Sequence, residues 1–242
     1  MRVLGIVPAR GGSKGIPGKN LAELGGTSLL HWTVAAAHAS RLHRTVLSTD
    51  DDAIAAEGRR LGVDVPFLRP EGLATDDASS IDVALHALDH VEEAGESYDA
   101  IMLLQPTTPF RTADDIDAAL DLLRRSGADS VIGVVDVGGH HPARMKLLDG
   151  DRLIDPPYAE AAENQPRQTL DPHYLRNGAL YLTRVATLRR RSFKGDDSRA
   201  LIMPAERSVN IDVPLDLTLA RALVTERAVV PPDADDRTSA HP

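Results

Sequence analysis

Short runs rich in Val, Ile and Leu alternate along most of the chain with segments of helical period, and this alternation constrains the fold more than any other feature. Runs of such low polarity fit strands covered on both faces, and the interleaved helical segments fit crossovers between parallel strands. The fold class is therefore α/β. The apolar runs predict strands over 3–9, 45–49, 64–68, 100–105, 130–137, 179–183 and 201–204. The helical period predicts helices over 29–40, 51–61, 80–93, 113–125 and 215–227. Thr27 or Ser28 is placed to cap the first helix, and Thr112 followed by Asp114 and Asp115 puts acid at the N-terminus of the fourth.

The alternation lapses between Gly138 and Arg176, a stretch carrying Pro142, Pro156, Pro157, Pro166 and Pro172 that is too long for a plain connection. It also holds Leu147, Leu148, Leu153, Ile154 and Tyr158, which the core of one domain has no evident need of. Residues 138–176 therefore read as an insertion that meets a partner surface. The expected organisation is one domain over 1–228 and a Pro- and Asp-rich tail over 229–242, expected to be disordered. With no Cys in 242 residues, disulfide frameworks, thiolate metal sites and cysteine nucleophiles are excluded, and a cytoplasmic setting is expected. No apolar run approaches the roughly 18–20 residues of a membrane span, and the start MRVLGIVPARGG turns to glycine and charge too soon for a signal peptide. A net charge of -9 argues against a nucleic-acid surface, so any anionic ligand must be met by a local basic site.

One such site stands directly after the first predicted strand, in Arg10-Gly-Gly-Ser-Lys-Gly-Ile-Pro-Gly-Lys-Asn20. Its glycines and proline prevent a helix, while Arg10, Lys14 and Lys19 supply cations and the exposed amides supply donors, a combination suited to a polyphosphate. The chain prefers Arg to Lys elsewhere, yet two of its four Lys sit here. Two familiar patterns lie close and fail. A P-loop needs Gly at position 13 and Ser or Thr at position 20, where the chain has Ser13 and Asn20. Gly11-Gly12-Ser13-Lys14-Gly15 matches a nucleophile elbow, but an elbow opens into a helix, which Pro17 and Gly18 prevent.

Three further signatures fall at predicted carboxyl ends of strands, where open α/β sheets place ligands: Ser48-Thr49-Asp50, Leu104-Gln105-Pro106-Thr107-Thr108-Pro109 and Asn210-Ile211-Asp212. Taken singly each reads better as a turn or cap, with Asp50 and Asp212 as candidate helix caps. His86 and His90 stand at i and i+4 on one helix, but no Glu follows His86 and no third ligand is evident, so a helix face is the better reading. His140 and His141 cannot both enter one site from a strand, because neighbours alternate faces.

The loop over 10–20, LLQPTTPFR and NIDVPLDL together resemble the acylneuraminate cytidylyltransferases, the CMP-N-acetylneuraminate synthetases. The resemblance runs in order from about Val3 to Leu223 and includes STD, LRPEGLATDDASS, HHP, QPRQ and NGALYL. It implies a Rossmann-like three-layer α/β/α nucleotidyltransferase fold with an inserted dimerisation arm over 138–176. It also implies transfer of CMP from CTP to the anomeric hydroxyl of a sialic-acid-like nonulosonic acid, with release of pyrophosphate. Legionaminate, pseudaminate, a Kdo-like acid or a phosphonate are alternative acceptors, and a non-catalytic nucleotide-binding homologue is the rival of another class.

By the same resemblance Arg10, Gly11, Gly12, Ser13, Lys14, Lys19, Asn20, Arg69 and Ser80 hold the nucleotide. Gln105, Lys146, Arg167, Asn177, Tyr181 and Phe193 meet the acceptor, although Tyr181 reads equally as a strand core residue. Arg10, Lys19 and Asp212 are the catalytic candidates, because attack on the α-phosphorus builds charge on phosphate oxygens that fixed cations and a metal must stabilise. The implied metal is Mg²⁺ or Mn²⁺ at Asp212 and Asn210. Where the family shows a pair of aspartates flanking one residue, this chain keeps only Asp212. An Asn carbonyl ligates Mg²⁺ without bringing charge, so lower metal affinity is expected. The implied dimer sends Arg167 and Lys146 of one chain towards the acceptor site of the other.

Overall fold

A computed structural model of the chain describes residues 1–232. Its elements in chain order are β1 (Val3–Pro8), β2 (Glu23–Leu24), β3 (Thr27–Ser28), α1 (Leu29–His38), β4 (Arg44–Ser48), α2 (Asp52–Arg60), α3 (Ser80–Glu93) and β5 (Ala100–Leu103). There follow α4 (Ala113–Ser126), β6 (Ser130–Asp136), β7 (Leu147–Asp149), β8 (Arg152–Ile154), β9 (Tyr174–Arg184), α5 (Val185–Arg189), β10 (Ser198–Ile202) and α6 (Pro214–Thr225). Six strands form one sheet in the order β10-β6-β9-β5-β1-β4, parallel throughout except where β9 pairs. The α/β class with a mostly parallel sheet is the fold observed.

Alternation along the strands divides the core into two layers. Val3, Val7, Leu47, Met102 and Leu182 face α1 and α4, where Leu30, Val34, Ile116, Ala119 and Leu123 are buried. Leu4, Ile6, Val46, Ile101 and Leu103 face α3 and α5, meeting Ala84, Leu88, Val91 and Leu188. A third cluster packs Trp32 and Phe110 with Ile211, Leu217 and Ala220, and this seats α6. Ser28 caps α1 by accepting from the His31 amide at 3.2 Å. Thr112 and Asp115 cap α4 reciprocally, at 3.2 and 3.0 Å. His86 and His90 close on the ring of Phe67, with centroids 4.7 and 4.9 Å away.

Several expectations are corrected. The strand over 64–68 reduces to a single bridge between Val46 and Asp64, because Pro66 has no amide to donate between the bonds Leu47 N to Asp64 O and Arg69 N to Thr49 O. Asp50 does not cap α2; its neighbour Asp51 does. Asp212 does not cap α6, whose first turn is closed by Asp216 accepting from the Asp212 and Val213 amides. The insertion contains the hairpin of β7 and β8. Val229, expected in the tail, is packed in the third cluster, and residues 233–242 lie outside those described.

The strand expected over 179–183 begins at Tyr174 and carries a bulge. Ile132 pairs with Tyr181 while Val134 pairs with Arg176, so residues 177–180 loop out of register. Gly178 sits there at φ +77, and a Cβ on it would stand 2.9 Å from Gln105 Oε1 and 3.1 Å from Thr108 Oγ1. Asn177 locks the bulge by accepting from the Ala179 amide at 3.0 Å and donating to Ser208 Oγ at 2.9 Å.

The open carboxyl ends of β5 and the bulge are joined by buried Arg111. Its guanidinium donates to Ala179 O at 2.5 Å, to Thr33 Oγ1 at 2.9 Å and to Gln105 O. Burial pushes its pKa down to about 9, opposed by the nearby Asp115 carboxylate. Removing the donors leaves buried acceptors unpaired at a cost of about 1–3 kcal/mol each, partly offset by removing a desolvated charge. Arg111→Met is therefore expected to lower unfolding free energy by about 2–4 kcal/mol in urea titration, and Arg111→Lys, which keeps charge but loses the fork, to recover only part of it.

Candidate active site

β1 ends at Pro8, and the amide of Ala9 still reaches Ser48 O at 2.9 Å, so the loop over 10–18 leaves the sheet beside the end of β4. The Gly11 amide then donates to Asp50 Oδ1 at 3.1 Å. Further on the loop passes under the 210–212 segment so closely that a Cβ on Gly15 would stand 2.3 Å from Asp212 O. Asn20, buried, donates from Nδ2 to Arg10 O at 2.9 Å and ties the loop's end to its start. Lys19, with a side chain only 13% exposed, donates to Ile211 O at 2.9 Å and Asp212 Oδ1 at 3.0 Å. The loop is thus fixed at both ends and in the middle, with its cations along one rim.

That rim borders a cleft of about 250 Å³ lined by Arg10, Ser13, Lys19, Asn20, Arg69, Asp76, Ser80, Gln105 and Thr107, among others. Gly11, Gly12 and Lys14 line a shallow depression that shares Arg10, Ser13, Thr75 and Asp76 with the cleft. All nine residues assigned to the nucleotide from sequence, together with Gln105, are therefore brought together. Two of them face inward to the scaffold as well as to the cleft. Asn20 spends its amide nitrogen on the loop itself, and Arg69 is a buried strut. Arg69 Nε donates to Ser48 Oγ at 3.0 Å, and the guanidinium also reaches Ser48 O and Leu73 O. Burial pushes its pKa down to about 10, with Asp50 opposing and Arg10 adding to the fall.

The remaining acceptor candidates do not line the cleft. Tyr181 and Phe193 pack on each other, centroids 5.7 Å apart, beside the layer under α3 and α5. Asn177 is buried in the bulge. Lys146 pairs with Asp155 and Arg167 lies 3.6 Å from Asp136, both in the inserted region or at its base. Asp76, absent from the sequence-derived set, contacts both Arg10 and Lys14. It lies in LRPEGLATDDASS, where nothing in sequence separates it from Asp77.

Where the resemblance implies a metal, Asp212 is 61% exposed and takes Lys19 on Oδ1 and the amide nitrogen of Asn210 on Oδ2. Asn210 Oδ1 accepts from Thr108 Oγ1 at 3.4 Å. Among the described residues no group of three or more His, Asp, Glu or Cys is placed to hold a cation. The donor set fits a hard cation bound through one carboxylate and otherwise through phosphate and water oxygens, not a cation caged by protein.

A cytidylyltransferase family profile matches residues 4–223. The CMP-N,N'-diacetyllegionaminic acid synthase of Legionella pneumophila is 33% identical over 93% of this chain and 97% of its own length. The N-acylneuraminate cytidylyltransferase of Streptococcus agalactiae is 32% identical over 88% of this chain and 51% of its own, and that of Escherichia coli 32% over 90% and 51%. This chain thus spans nearly the whole of the first relative and about half of the other two. Among solved structures, a CMP:2-keto-3-deoxy-manno-octonic acid synthetase complexed with CTP superposes with a TM-score of 0.69 at 17% identity, over 93% of this chain and 99% of that one. A 4-diphosphocytidyl-2C-methyl-D-erythritol synthase from Anaerococcus prevotii superposes at 0.61 and 14% identity, over 93% and 96%. At those identities the likeness concerns the fold, whereas the profile and the relatives above 30% identity place the chain itself: it belongs to the cytidylyltransferase family.

Proposed function

We propose that this chain transfers CMP from CTP to the anomeric hydroxyl of a nonulosonic acid and releases pyrophosphate. The observation that carries the reading is the pinned glycine-rich loop, whose Arg10 and Lys19 border one cleft with Gln105 at the carboxyl edge of the sheet. Near-complete coverage of a legionaminate-activating relative supports the acceptor class. In the reaction the sugar oxygen bonds to the α-phosphorus, the bond from that phosphorus to the bridging oxygen breaks, and the hydroxyl proton is lost to the surroundings. Charge grows on the phosphate oxygens, and preorganised cations and amides around the loop offset it without reorganising. Gln105 both donates and accepts, as sugar hydroxyls require. CTP is drawn from the cytoplasm, where we place the reaction.

Mg²⁺ at this edge would supply further positive charge to the phosphate oxygens, and Asp212 is the carboxylate that would hold it, with Asn210 as a neutral neighbour. Lys19, already on Asp212, keeps that carboxylate oriented towards the loop. The dimeric state belongs to the same proposal. Leu148 and Leu153, each 71% exposed and paired across the β7–β8 hairpin, form an apolar patch on one of its faces that a second copy of the chain covers, while Leu147 and Ile154 are exposed on the other face. Lys146 and Arg167 then act on the acceptor of the neighbouring subunit.

The direct test supplies CTP, Mg²⁺ and a panel of acids, with diacetyllegionaminate and N-acetylneuraminate first, and follows pyrophosphate. Release with at least one nonulosonic acid is expected; CTP binding with no release from any acceptor sinks the reading in favour of a non-catalytic homologue. Across a Mg²⁺ series, Asn210→Asp should lower the concentration giving half-maximal rate, and Asp212→Asn should cut the rate by about two orders of magnitude or more. For the shared site, Lys19→Ala and Arg167→Ala are each expected to be nearly inactive alone. Mixed under conditions where subunits exchange, they should regain part of the activity, since one site of each mixed dimer holds both residues. Proven exchange with no recovery contradicts the arrangement.

A further inference from the structure

Asp76 stands on the exposed segment between the short helical turn Glu71–Leu73 and the start of α3, facing the glycine-rich loop across the mouth of the cleft. Its Oδ1 lies 2.6 Å from Arg10 Nη2, and its Oδ2 pairs with Lys14 Nζ. One carboxylate oxygen per cation means that Asp76 straddles the gap between them. The Lys14 side chain is 84% exposed, so this pairing is made at the open rim, where a phosphate group arriving from solvent meets the loop first.

We propose that Asp76 is a built-in counter-ion of the phosphate loop, displaced when the nucleotide's phosphates enter and restored as pyrophosphate leaves. This rests on reading residues 10–20 as the polyphosphate site. Carboxylate and phosphate oxygens are acceptors of one kind for guanidinium and ammonium donors. A phosphate that takes Arg10 and Lys14 brings its oxygens within a few ångströms of Asp76, and like charges at that range repel. The carboxylate therefore yields. Residues 75–78 belong to no helix or strand, so the segment moves without opening the sheet. Hydrogen bonds from Lys14 and then Arg10 hold the Asp76 carboxyl below the usual carboxylate range, so it remains a full anion wherever its partners are cations.

A counter-ion of this kind weakens nucleotide binding by the strength of the ion pairs it must give up. The same competition disfavours retention of pyrophosphate after the reaction. Asp76 acts here through Arg10 and Lys14 and is a positioning residue, not one that touches the reacting atoms.

Calorimetric titration of the full chain with CTP and with pyrophosphate at fixed low ionic strength tests this, comparing wild type with Asp76→Asn and Asp77→Asn. The two variants make the same change of charge one residue apart. Exposed pairs of this type are individually weak, so Asp76→Asn should bind both ligands roughly three- to tenfold tighter, and pyrophosphate should become a stronger product inhibitor by a similar factor. Asp77→Asn should shift binding by less than about twofold. Weaker or unchanged binding in Asp76→Asn overturns the proposal and makes Asp76 a structural support of the loop. Equal tightening in both variants also overturns it, because net charge would then explain the effect. Wild-type protein that binds neither CTP nor pyrophosphate removes the polyphosphate reading itself, a failure distinct from either of these.

Discussion

The guanidinium of Arg111 closes the carboxyl edge of the sheet, and the cleft takes its shape from that closure. Three acceptors meet there that no strand ladder satisfies: Gln105 O just beyond β5, Ala179 O in the bulge of β9 and the hydroxyl of buried Thr33 on α1. One planar fork reaches all three because its donors diverge in a fixed geometry. The position of Gln105, a wall of the cleft, therefore follows from a buried cation rather than from loop preference. Arg69 does the corresponding work at the end of β4, joining Ser48 to Leu73. The glycine-rich loop lies in the same cleft, which is basic although the whole chain carries a net charge of -9.

Each cation on the loop has an acidic neighbour. Arg10 and Lys14 share Asp76, Lys19 takes Asp212, and the Gly11 amide takes Asp50. These contacts bind three separate stretches of chain, around residues 50, 76 and 212, to the one glycine-rich loop. They orient the cations of the ligand-free loop, the Asp76 pairs only until phosphates replace them as proposed above. The same pairs keep the cations from attracting anions indiscriminately, and the phosphates of the nucleotide must compete for them.

Much of this was legible in the sequence, and the limits have physical causes. The helix over 80–93 appears with those bounds because its apolar positions repeat at helical spacing and Ser79 stands ready to cap it. The loop over 10–20 was legible as a basic, glycine-rich turn because glycine and cation content are local properties, and the fold sets it on the cleft. The antiparallel course of β9 was not, since its first residues, Tyr174-Leu175-Arg176-Asn177, show no strand pattern and their role depends on β6 across the sheet. Nor could periodicity tell Asp50 from Asp51 as the cap of α2, or Asp76 from Asp77 as the partner of Arg10, because adjacent acids differ only in where the fold aims them. Tyr181 and Phe193 lie against each other on a core layer, and Lys146 and Arg167 sit on the inserted region. None of those four lines the cleft.

The central claim is that the loop over 10–20 is a preformed seat for the phosphates of CTP at the carboxyl edge of the sheet. A crystal structure of the full chain with CTP tests it most directly. The account predicts triphosphate oxygens within hydrogen-bond distance of the Arg10 and Lys19 side chains and of loop amides between residues 11 and 15, with Gln105 held where Arg111 now fixes it. Triphosphate bound away from this loop, for example in the hollow lined by Trp32, Phe110 and Val229, would contradict it.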